Sequence, residues 1–376
     1  MKITDVSLAI LELPDAAASG HELIQVPGLP RVQYTHRARP VQRTATQAFL
    51  EVRTSTDILA RCDCSLSPDQ VGILRHHVLG ANPFHREHLF QMFHKGTRWV
   101  YQPPGWFGAF DNCLWDIAGQ AAGLPVHAIL GRVRERLPAY LTGGDGTVQD
   151  YLDAIACGRA MGIQAYKFHT YKGGDADIPI FRAVRREVGD AYDLINDPVC
   201  SYTLREALAV GRVMEELGFL WLEEPMHEQK LNLYQELCRG LDIPVMATET
   251  LMHDMDLTAQ WLLQGGTDYL RARATHGTTQ VLKLAHFAEL QGARVELNGP
   301  GGLCGLVHAH VGCCLENTSL YEYFGATGDA LRREGQGWGL LNAPLIQNGH
   351  IAPPDGPGWG AEWDEEWFQR LTVARH

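Results

Sequence analysis

Two different patterns of hydrophobic and polar positions divide the chain. In residues 1–60, short runs alternate between apolar and polar side chains, as at 6–13 and 49–53, and turn residues with a proline-rich stretch at 27–40 separate them. This alternation predicts antiparallel strands and a long loop. From residue 68 to residue 130 the apolar positions recur at helical spacing, so helices are expected there.

The second half of the chain repeats one unit, a short apolar strand followed by a helical stretch. The last polar residues of six successive strands are spaced by 22 to 28 residues, at positions 169, 197, 223, 249, 271 and 298. One strand with one crossover helix needs about this length, and such a crossover implies parallel pairing. Two more strand candidates, at 137–141 and 320–324, bring the number to eight.

Eight such units predict an α/β fold, a (β/α)₈ barrel over residues 131–330. An open doubly wound sheet is the alternative, but the Gly-x-Gly-x-x-Gly that would follow its first strand is missing. Residues 331–376 are rich in Gly, Pro and Trp and cannot continue the strand–helix rhythm. We expect this last segment to pack back on the region formed by residues 1–130.

Three successive strands of the predicted barrel end in an acid, namely Asp197, Glu223 and Glu249. The active site of such a barrel lies at the carboxyl ends of its strands, where these carboxylates would repel each other without a cation among them. A hard divalent ion with oxygen ligands, Mg²⁺ first, meets that need. A single acid at a strand end is more often a helix cap or a solvated loop residue. Three at nearly equal spacing favour a metal site.

Two basic residues, Lys167 and His169, lie one strand earlier. Residues two apart on a strand face the same side, so both are expected to point into the barrel mouth beside the metal. Each is a candidate general base, and the lysine needs a lowered pKa for that role. Without the three acids, such a pair would be interpreted as exposed surface residues.

The composition narrows the class of protein. The 376 residues are 45% hydrophobic and 20% charged, with 32 Lys and Arg against 44 Asp and Glu and a net charge of −12. This balance argues against a nucleic-acid partner or an anionic membrane surface. No apolar run approaches the roughly 18 residues of a spanning helix, and no leader pattern opens the chain. Nine cysteines, an odd number, indicate reduced thiols. We therefore expect a soluble, cytoplasmic enzyme.

The order Lys-x-His, Asp, Glu, Glu on consecutive strands resembles the mandelate racemase and muconate lactonizing branch of the enolase superfamily. The resemblance covers nearly the whole chain. Four further segments are similar to motifs of that branch: the helix at 109–119, the turn at 123–131, the fourth-strand segment Trp221-Leu-Glu-Glu-Pro225 and the tail at 355–360. Each motif alone is modestly specific, and their shared order is highly specific.

The resemblance implies an α+β capping domain built from residues 1–130 and 331–376, over a barrel that carries Mg²⁺. It also implies removal of the proton α to a carboxylate, with the metal stabilising the enediolate. That proton is so weakly acidic that a base alone cannot remove it at neutral pH, and a divalent ion on the carboxylate supplies the missing stabilisation. The implied partner is a small carboxylate, and a homo-oligomer is expected.

The chain departs from the family at two strand ends. Racemases of the family carry an Asp ending the sixth strand and a His ending the seventh, as a second base on the opposite face. Here Arg271 and Asn298 fall at those positions, or Arg273 and Glu296 if the register slips, and His276 stands where the family has glycine. Arginine cannot accept a proton, so the second base is lost and one-sided chemistry is favoured.

The same residues are candidates for substrate binding. Arg271 and Arg273, two apart, are expected either to fork a substrate carboxylate or to pair with structural acids. Glu322, on the last strand, is either a carboxylate that contacts the substrate or a buried structural one. The remaining candidates are Asn298, His276 and, in the loop at 21–37, His36 or Arg37, although a flexible linker is the simpler interpretation of that loop.

Three functions follow from this pattern. The first is a Mg²⁺-dependent acid-sugar dehydratase, a hydro-lyase in which Lys167 or His169 helps the β-hydroxyl leave as water and a 2-keto-3-deoxy acid forms. The second is a racemase, epimerase or cycloisomerase of a carboxylate, which the missing Asp–His dyad disfavours. The third is a non-catalytic relative that binds metal or a carboxylate, against which the intact Lys167, His169 and three acids argue.

Overall fold

The computed structural model describes residues 1–13, 17–18, 22–25, 32–35, 41–42, 45–170, 172–299, 301–324 and 339–376. His36 and Arg37, the two candidates in the loop at 21–37, lie outside the described residues. Two short ribbons pair within the loop, Ala17–Ala18 with Val41–Gln42 and Glu22–Gln25 with Val32–Thr35. In the described ranges no helix combines the length and apolar character needed to span a membrane.

An antiparallel sheet forms the cap, in agreement with the alternating pattern at the start of the chain. Its strands are β1 (Ile3–Leu13), β2 (Ala45–Thr54) and β3 (Leu59–Cys64), joined by a strand from the end of the chain, Thr372–Arg375, which pairs with β1. Val6 and Leu8 of β1 are buried, while Ser7 between them is more exposed. The last segment therefore returns to the cap as predicted, because its strand completes the sheet edge beside β1.

Eight parallel strands form the barrel. They are β4 (Leu137–Thr142), β5 (Ala165–His169), β6 (Asp193–Asp197), β7 (Leu222–Glu223), β8 (Val245–Ala247), β9 (Tyr269–Ala272), β10 (Arg294–Leu297) and β11 (Tyr321–Tyr323). Each pairs with the next, and β11 pairs with β4, which closes the barrel. Two further strands follow, β12 (His350–Ile351), which pairs antiparallel with β4, and β13, the cap strand Thr372–Arg375. The predicted (β/α)₈ architecture is confirmed.

Helices connect the strands at the positions that the apolar spacing predicts. Before the barrel lie α1 (Pro68–Val78), α2 (Arg86–Val100), α3 (Gly108–Ala122) and α4 (Val126–Leu130). The barrel helices are α5 (Val148–Ala160), α6 (Gly174–Val188), α7 (Leu204–Glu216), α8 (Leu231–Gly240), α9 (Met255–Leu263), α10 (Thr278–Leu290) and α11 (Gly302–Gly312), and α12 (Glu365–Leu371) precedes β13. Capping boxes at Thr147 and Thr203 fix where α5 and α7 begin.

Helix α3 joins the cap to the barrel. Asp111 accepts hydrogen bonds from the backbone N–H and the hydroxyl of Thr279, in the first turn of α10, at 2.7 Å each. The tail docks on the same helix, since the backbone N–H of Trp359 donates to Asp116 at 2.9 Å. One buried apolar cluster runs from the cap sheet into α10 and β10. The boundary near residue 130 remains a prediction, and the one near residue 330 lies outside the described residues.

Candidate active site

Lys167 lies at the centre of a buried cluster of carboxylates inside the barrel. Its Nζ is 3.0 Å from Asp197 Oδ2, 3.1 Å from Glu223 Oε1 and 2.7 Å from Glu322 Oε1. Only 1% of the side chain is exposed. Burial alone would lower the pKa of Lys167, but the charges of Glu223 and Glu322 outweigh it and hold that pKa well above its usual value. Lys167 is therefore a fixed positive charge in this arrangement.

His169 lies further toward the mouth on the same strand and is 14% exposed. Its Nδ1 is 2.7 Å from the carbonyl oxygen of Gly143, which fixes the ring, and its Nε2 is 3.0 Å from Asp197 Oδ2. Burial lowers the pKa of His169, whereas the charge and hydrogen bond of Asp197 raise it, and the net direction is upward. The predicted convergence of Lys167 and His169 on one side of β5 is present in the structure.

Arg271 is the second cation of the cluster and is fully buried. Its guanidinium contacts Glu223 at 3.0 Å, Glu249 at 3.4 Å and Glu322 at 2.5 Å. Of the two alternatives that the sequence left open for Arg271, these contacts are pairing with acids of the protein. They place Arg271 inside the barrel. The charges of Arg271 and Lys167 lower the pKa of Glu322 to about 2, although burial opposes this.

The end of the seventh strand is occupied by Asn298. Its Nδ2 donates to Glu249 Oε2 at 3.0 Å, so Asn298 and Arg271 meet the same carboxylate and the register is the one predicted first. Glu296, the alternative occupant, instead accepts hydrogen bonds from Ser319 and the backbone N–H of Leu320, before β11 begins. That is the opposite end of the barrel, so Glu296 cannot act at the mouth.

Negative charge exceeds positive charge at this mouth. Glu224, next to Glu223, is buried, and its pKa is raised well above the usual range by burial and by repulsion from Asp197 and Glu249. Burial also raises the pKa of Glu249 and that of Glu223, against the opposing charges of Arg271 and Lys167. The sequence pattern did not indicate Glu224, because the residue after Glu223 on a regular strand faces away from the mouth. Its φ of +25° turns Glu224 out of the strand.

The donor set of Asp197, Glu223 and Glu249 fits a hard divalent cation. All three offer carboxylate oxygens, and the excess of negative charge around them is what such an ion would compensate. Their oxygens do not all lie within 4.8 Å of one another, since Lys167 and Arg271 lie between them, so the carboxylates must move closer to share one ion. Among the described residues, the group that meets this spacing is Cys62, Asp63 and Cys304, between β3 and α11.

The loops after the acid-bearing strands are held in uncommon backbone conformations. Positive φ angles occur at Val199, Cys200, Glu224 and Thr248. Glu228, which sequence reasoning missed, accepts hydrogen bonds from the backbone N–H groups of Glu249 and Thr250 at 3.0 and 2.7 Å. It thereby fixes the loop that carries Glu249. Its spacing from the strand gave no signal, because it lies in the loop after β7.

Arg273 and His276 lie apart from the carboxylate cluster. They line a cavity of about 880 Å³ between the cap sheet and the segment after β9. Burial lowers the pKa of His276 to about 4, with the charge of Arg273 adding to the effect, so the imidazole is neutral at neutral pH. Of the predicted substrate-binding residues, the structure thus brings Arg271, Asn298 and Glu322 together with the acids and places Arg273 and His276 at the cavity under the cap sheet.

Comparison with known proteins identifies the family. A sequence profile described as enolase C-terminal domain-like matches residues 151–367, more than half of the chain. The chain belongs to this family. It is 25% identical to a D-galactonate dehydratase family member of Streptomyces bingchenggensis, over 86% of this chain and 89% of that protein. It is 27% identical to an arabinonate dehydratase of Saccharolobus solfataricus, over 66% of this chain and 67% of the relative.

Among solved structures, a D-glucarate dehydratase of Agrobacterium tumefaciens complexed with magnesium superposes with a TM-score of 0.83. Its sequence is 26% identical, and the match covers 100% of both chains. The family predicted from the sequence is therefore confirmed, and the names of these relatives agree with the predicted reaction class, loss of water from an acid sugar.

Proposed function

We propose that this enolase-family enzyme is a hydro-lyase that removes water from an acid sugar and forms a 2-keto-3-deoxy acid. The observation that carries the proposal is the one-sided arrangement of proton-transfer groups. Lys167 and His169 share one face of β5, whereas the sixth and seventh strands end in Arg271 and Asn298, neither of which can take a proton. A syn elimination can run on one face, whereas racemisation needs a base on each of two faces.

In this proposal the cation is Mg²⁺ and its ligands are Asp197, Glu223 and Glu249. When bound, Mg²⁺ would stabilise the negative charge that develops on the substrate carboxylate, the role of a Lewis acid. The supporting observation is the excess of buried carboxylate at the mouth, which includes Glu224. Glu322, held by Arg271 and Thr142, would help to position the substrate carboxylate.

His169 is the group that we assign to proton transfer. It is more exposed than Lys167 and lies nearer the mouth, while Lys167 is enclosed by three carboxylates. In this step His169 keeps its Nδ1–H on the carbonyl of Gly143, and its Nε2 is neutral and released from Asp197, which the metal would then hold. Nε2 takes the α-proton, and the C–H electron pair becomes the enediolate. The protonated ring then gives that proton to the β-hydroxyl as the C–O bond breaks, so water leaves and the enol tautomerises to the ketone. Lys167 supplies positive charge beside the substrate carboxylate throughout.

A library of sugar acids in D₂O tests the reaction. A keto-deoxy product, detected as its semicarbazone, is expected from one acid, with little deuterium in the recovered substrate if proton loss commits to loss of water. Recovery of the opposite epimer, deuterated at the α-carbon and without any keto product, would show a racemase and contradict the dehydratase. Binding without exchange or product would show a non-catalytic relative.

We further propose that the enzyme acts in the cytoplasm as a homo-oligomer. The nine cysteines are all free thiols in the structure, as expected of a protein kept in a reducing compartment. Light scattering coupled to size exclusion tests the oligomer, since a mass of 41.8 kDa would be the monomer.

A further inference from the structure

The cavity lined by Arg273 and His276 has charged side chains that do not form an ion pair with each other. On the cap side it is lined by Gln47 and Asp63, on the side of α3 by Trp106, and on the barrel side by Arg273. Within the described part of the chain, Arg273 and Asp63 form no ion pair, and Arg273 Nε and Asp63 Oδ1 are buried without a hydrogen-bond partner. Leaving such groups unpaired is costly in a folded protein.

Two further polar groups of this wall lack partners. Trp106 Nε1 and Gln47 Nε2 are buried N–H donors without an acceptor among the described residues. Together with the guanidinium of Arg273 they make a surface rich in donors, which favours an anion. Asp63 and neutral His276 supply acceptors for hydroxyl groups on the same ligand. Burial raises the pKa of Asp63 to about 6, against the charge of Arg273, so this carboxyl remains in part protonated near pH 6.

Arg273, which lines the cavity, connects it along the chain to the carboxylate cluster. Arg271 contacts Glu223 and Glu249, and Arg273 follows it by two residues in extended backbone, with φ −148° and ψ 130°. Residues two apart on an extended chain face the same side and are separated by about 6–7 Å. The terminal carboxyl carbons of an extended six-carbon diacid, joined by five C–C bonds of about 1.5 Å, are separated by about 6 Å. The length of such a diacid therefore matches the spacing of the two arginines along the chain.

We propose that this cavity is a second carboxylate subsite and that the substrate is a dicarboxylic sugar acid, whose far carboxylate is bound by Arg273. The inference rests on the proposed dehydration, in which the near carboxylate lies at Asp197, Glu223 and Glu249. A guanidinium forks a carboxylate with two parallel hydrogen bonds, whereas the primary hydroxyl at the end of a monoacid leaves the charge of Arg273 uncompensated. The hydroxyl groups between the two ends face Asp63 and His276.

The test compares hexaric acids with hexonic acids of the same configuration. We expect kcat/KM to be about 100-fold higher for the diacid, the scale of a charge-assisted hydrogen-bond pair. Arg273→Met should remove this preference mainly through KM, and Arg273→Lys, which keeps the charge without the fork, should retain part of it. Arg136→Met, at an exposed arginine before β4, is the matched control and should change neither substrate.

A second readout does not depend on turnover of the tested ligand. Adipate, an unreactive six-carbon diacid, should inhibit competitively, and hexanoate should inhibit far more weakly. Arg273→Met should abolish this difference between the two inhibitors. Thermal melting of the variant checks that it is folded. The subsite is overturned, while dehydration stands, if kcat/KM for a hexonate is within tenfold of that for the hexarate and Arg273→Met changes neither value. If neither class gives a keto product, the proposed function falls and this inference falls with it.

Discussion

Lys167 and His169 are two residues apart on one strand, yet their different surroundings give them different roles. Lys167 is surrounded by Asp197, Glu223 and Glu322 and is 1% exposed, so its charge is held in place. His169 is anchored through Nδ1 on Gly143 and presents its other nitrogen toward Asp197 at the mouth. Enclosure by carboxylates holds the charge of Lys167, and the more exposed imidazole of His169 is the group suited to carry a proton.

Replacing either residue should lower the rate. We expect His169→Asn and Lys167→Met each to reduce kcat by about 100-fold or more, the scale of an acid–base group. Steady-state assays of keto product measure this, and Lys283→Met, at a surface lysine paired with Glu87, is the control. Near-normal rates in both variants would refute the assignment to β5.

The three acids at the strand ends should each be needed for metal binding. Asp197→Asn, Glu223→Gln and Glu249→Gln keep the side-chain volume while removing a charged ligand, so Mn²⁺ binding, followed by electron paramagnetic resonance, and turnover should both be lost. Asp190→Asn, at an exposed acid after α6, should retain both. Anomalous scattering that located Mn²⁺ elsewhere would contradict the ligand set.

At the scale of elements, the segment at 109–119 of α3 connects the cap to α10 of the barrel and to the tail. Asp111 and Asn112 of α3 accept hydrogen bonds from the first backbone N–H groups of α10, which has no capping side chain of its own. Asp116 holds the tail at Trp359. A Cβ on Gly108 would lie 2.3 Å from the carbonyl oxygen of Thr275, so only glycine allows the two segments to pack this closely.

The carboxyl of Asp111 gives this joint a pH dependence. Burial raises its pKa to about 6, against a reference of 3.8, so its contribution to folding is present below the unfolded pKa and is lost as pH rises through 6. Asp111→Asn removes this titration. The stability of the variant relative to the parent should therefore rise between pH 4 and pH 7, by up to about 3 kcal/mol. Urea unfolding at each pH measures it, and a flat difference would contradict the assignment.

At the scale of the molecule, the barrel was predictable because strand and crossover lengths are local properties of the sequence. The convergence of the three acids followed from the common direction of parallel strands. Other features depend on contacts between distant segments. The choice between Asn298 and Glu296 is decided only by the contact with Glu249, and the cavity at Arg273 exists only because the cap sheet lies over that strand end. The position of Glu224 at the mouth depends on its positive φ angle, which the sequence pattern does not reveal.

The cap and the barrel should unfold together, because the tail residue Trp359 lies between them. Its indole N–H donates to the carbonyl of Asn112 in α3, its own carbonyl is 3.1 Å from His310 of α11, and its side chain is fully buried. Trp359→Ala should cost about 3–5 kcal/mol of unfolding free energy, as for other buried Trp residues. Trp99→Ala, at a tryptophan that is 80% exposed, should cost little.

One apolar cluster spans the cap and the barrel, so both parts should unfold in a single transition. In Trp359→Ala the urea midpoints followed by circular dichroism and by tryptophan fluorescence should therefore shift by the same amount. Two separate transitions, with only one of them displaced, would show instead that the cap folds independently of the barrel.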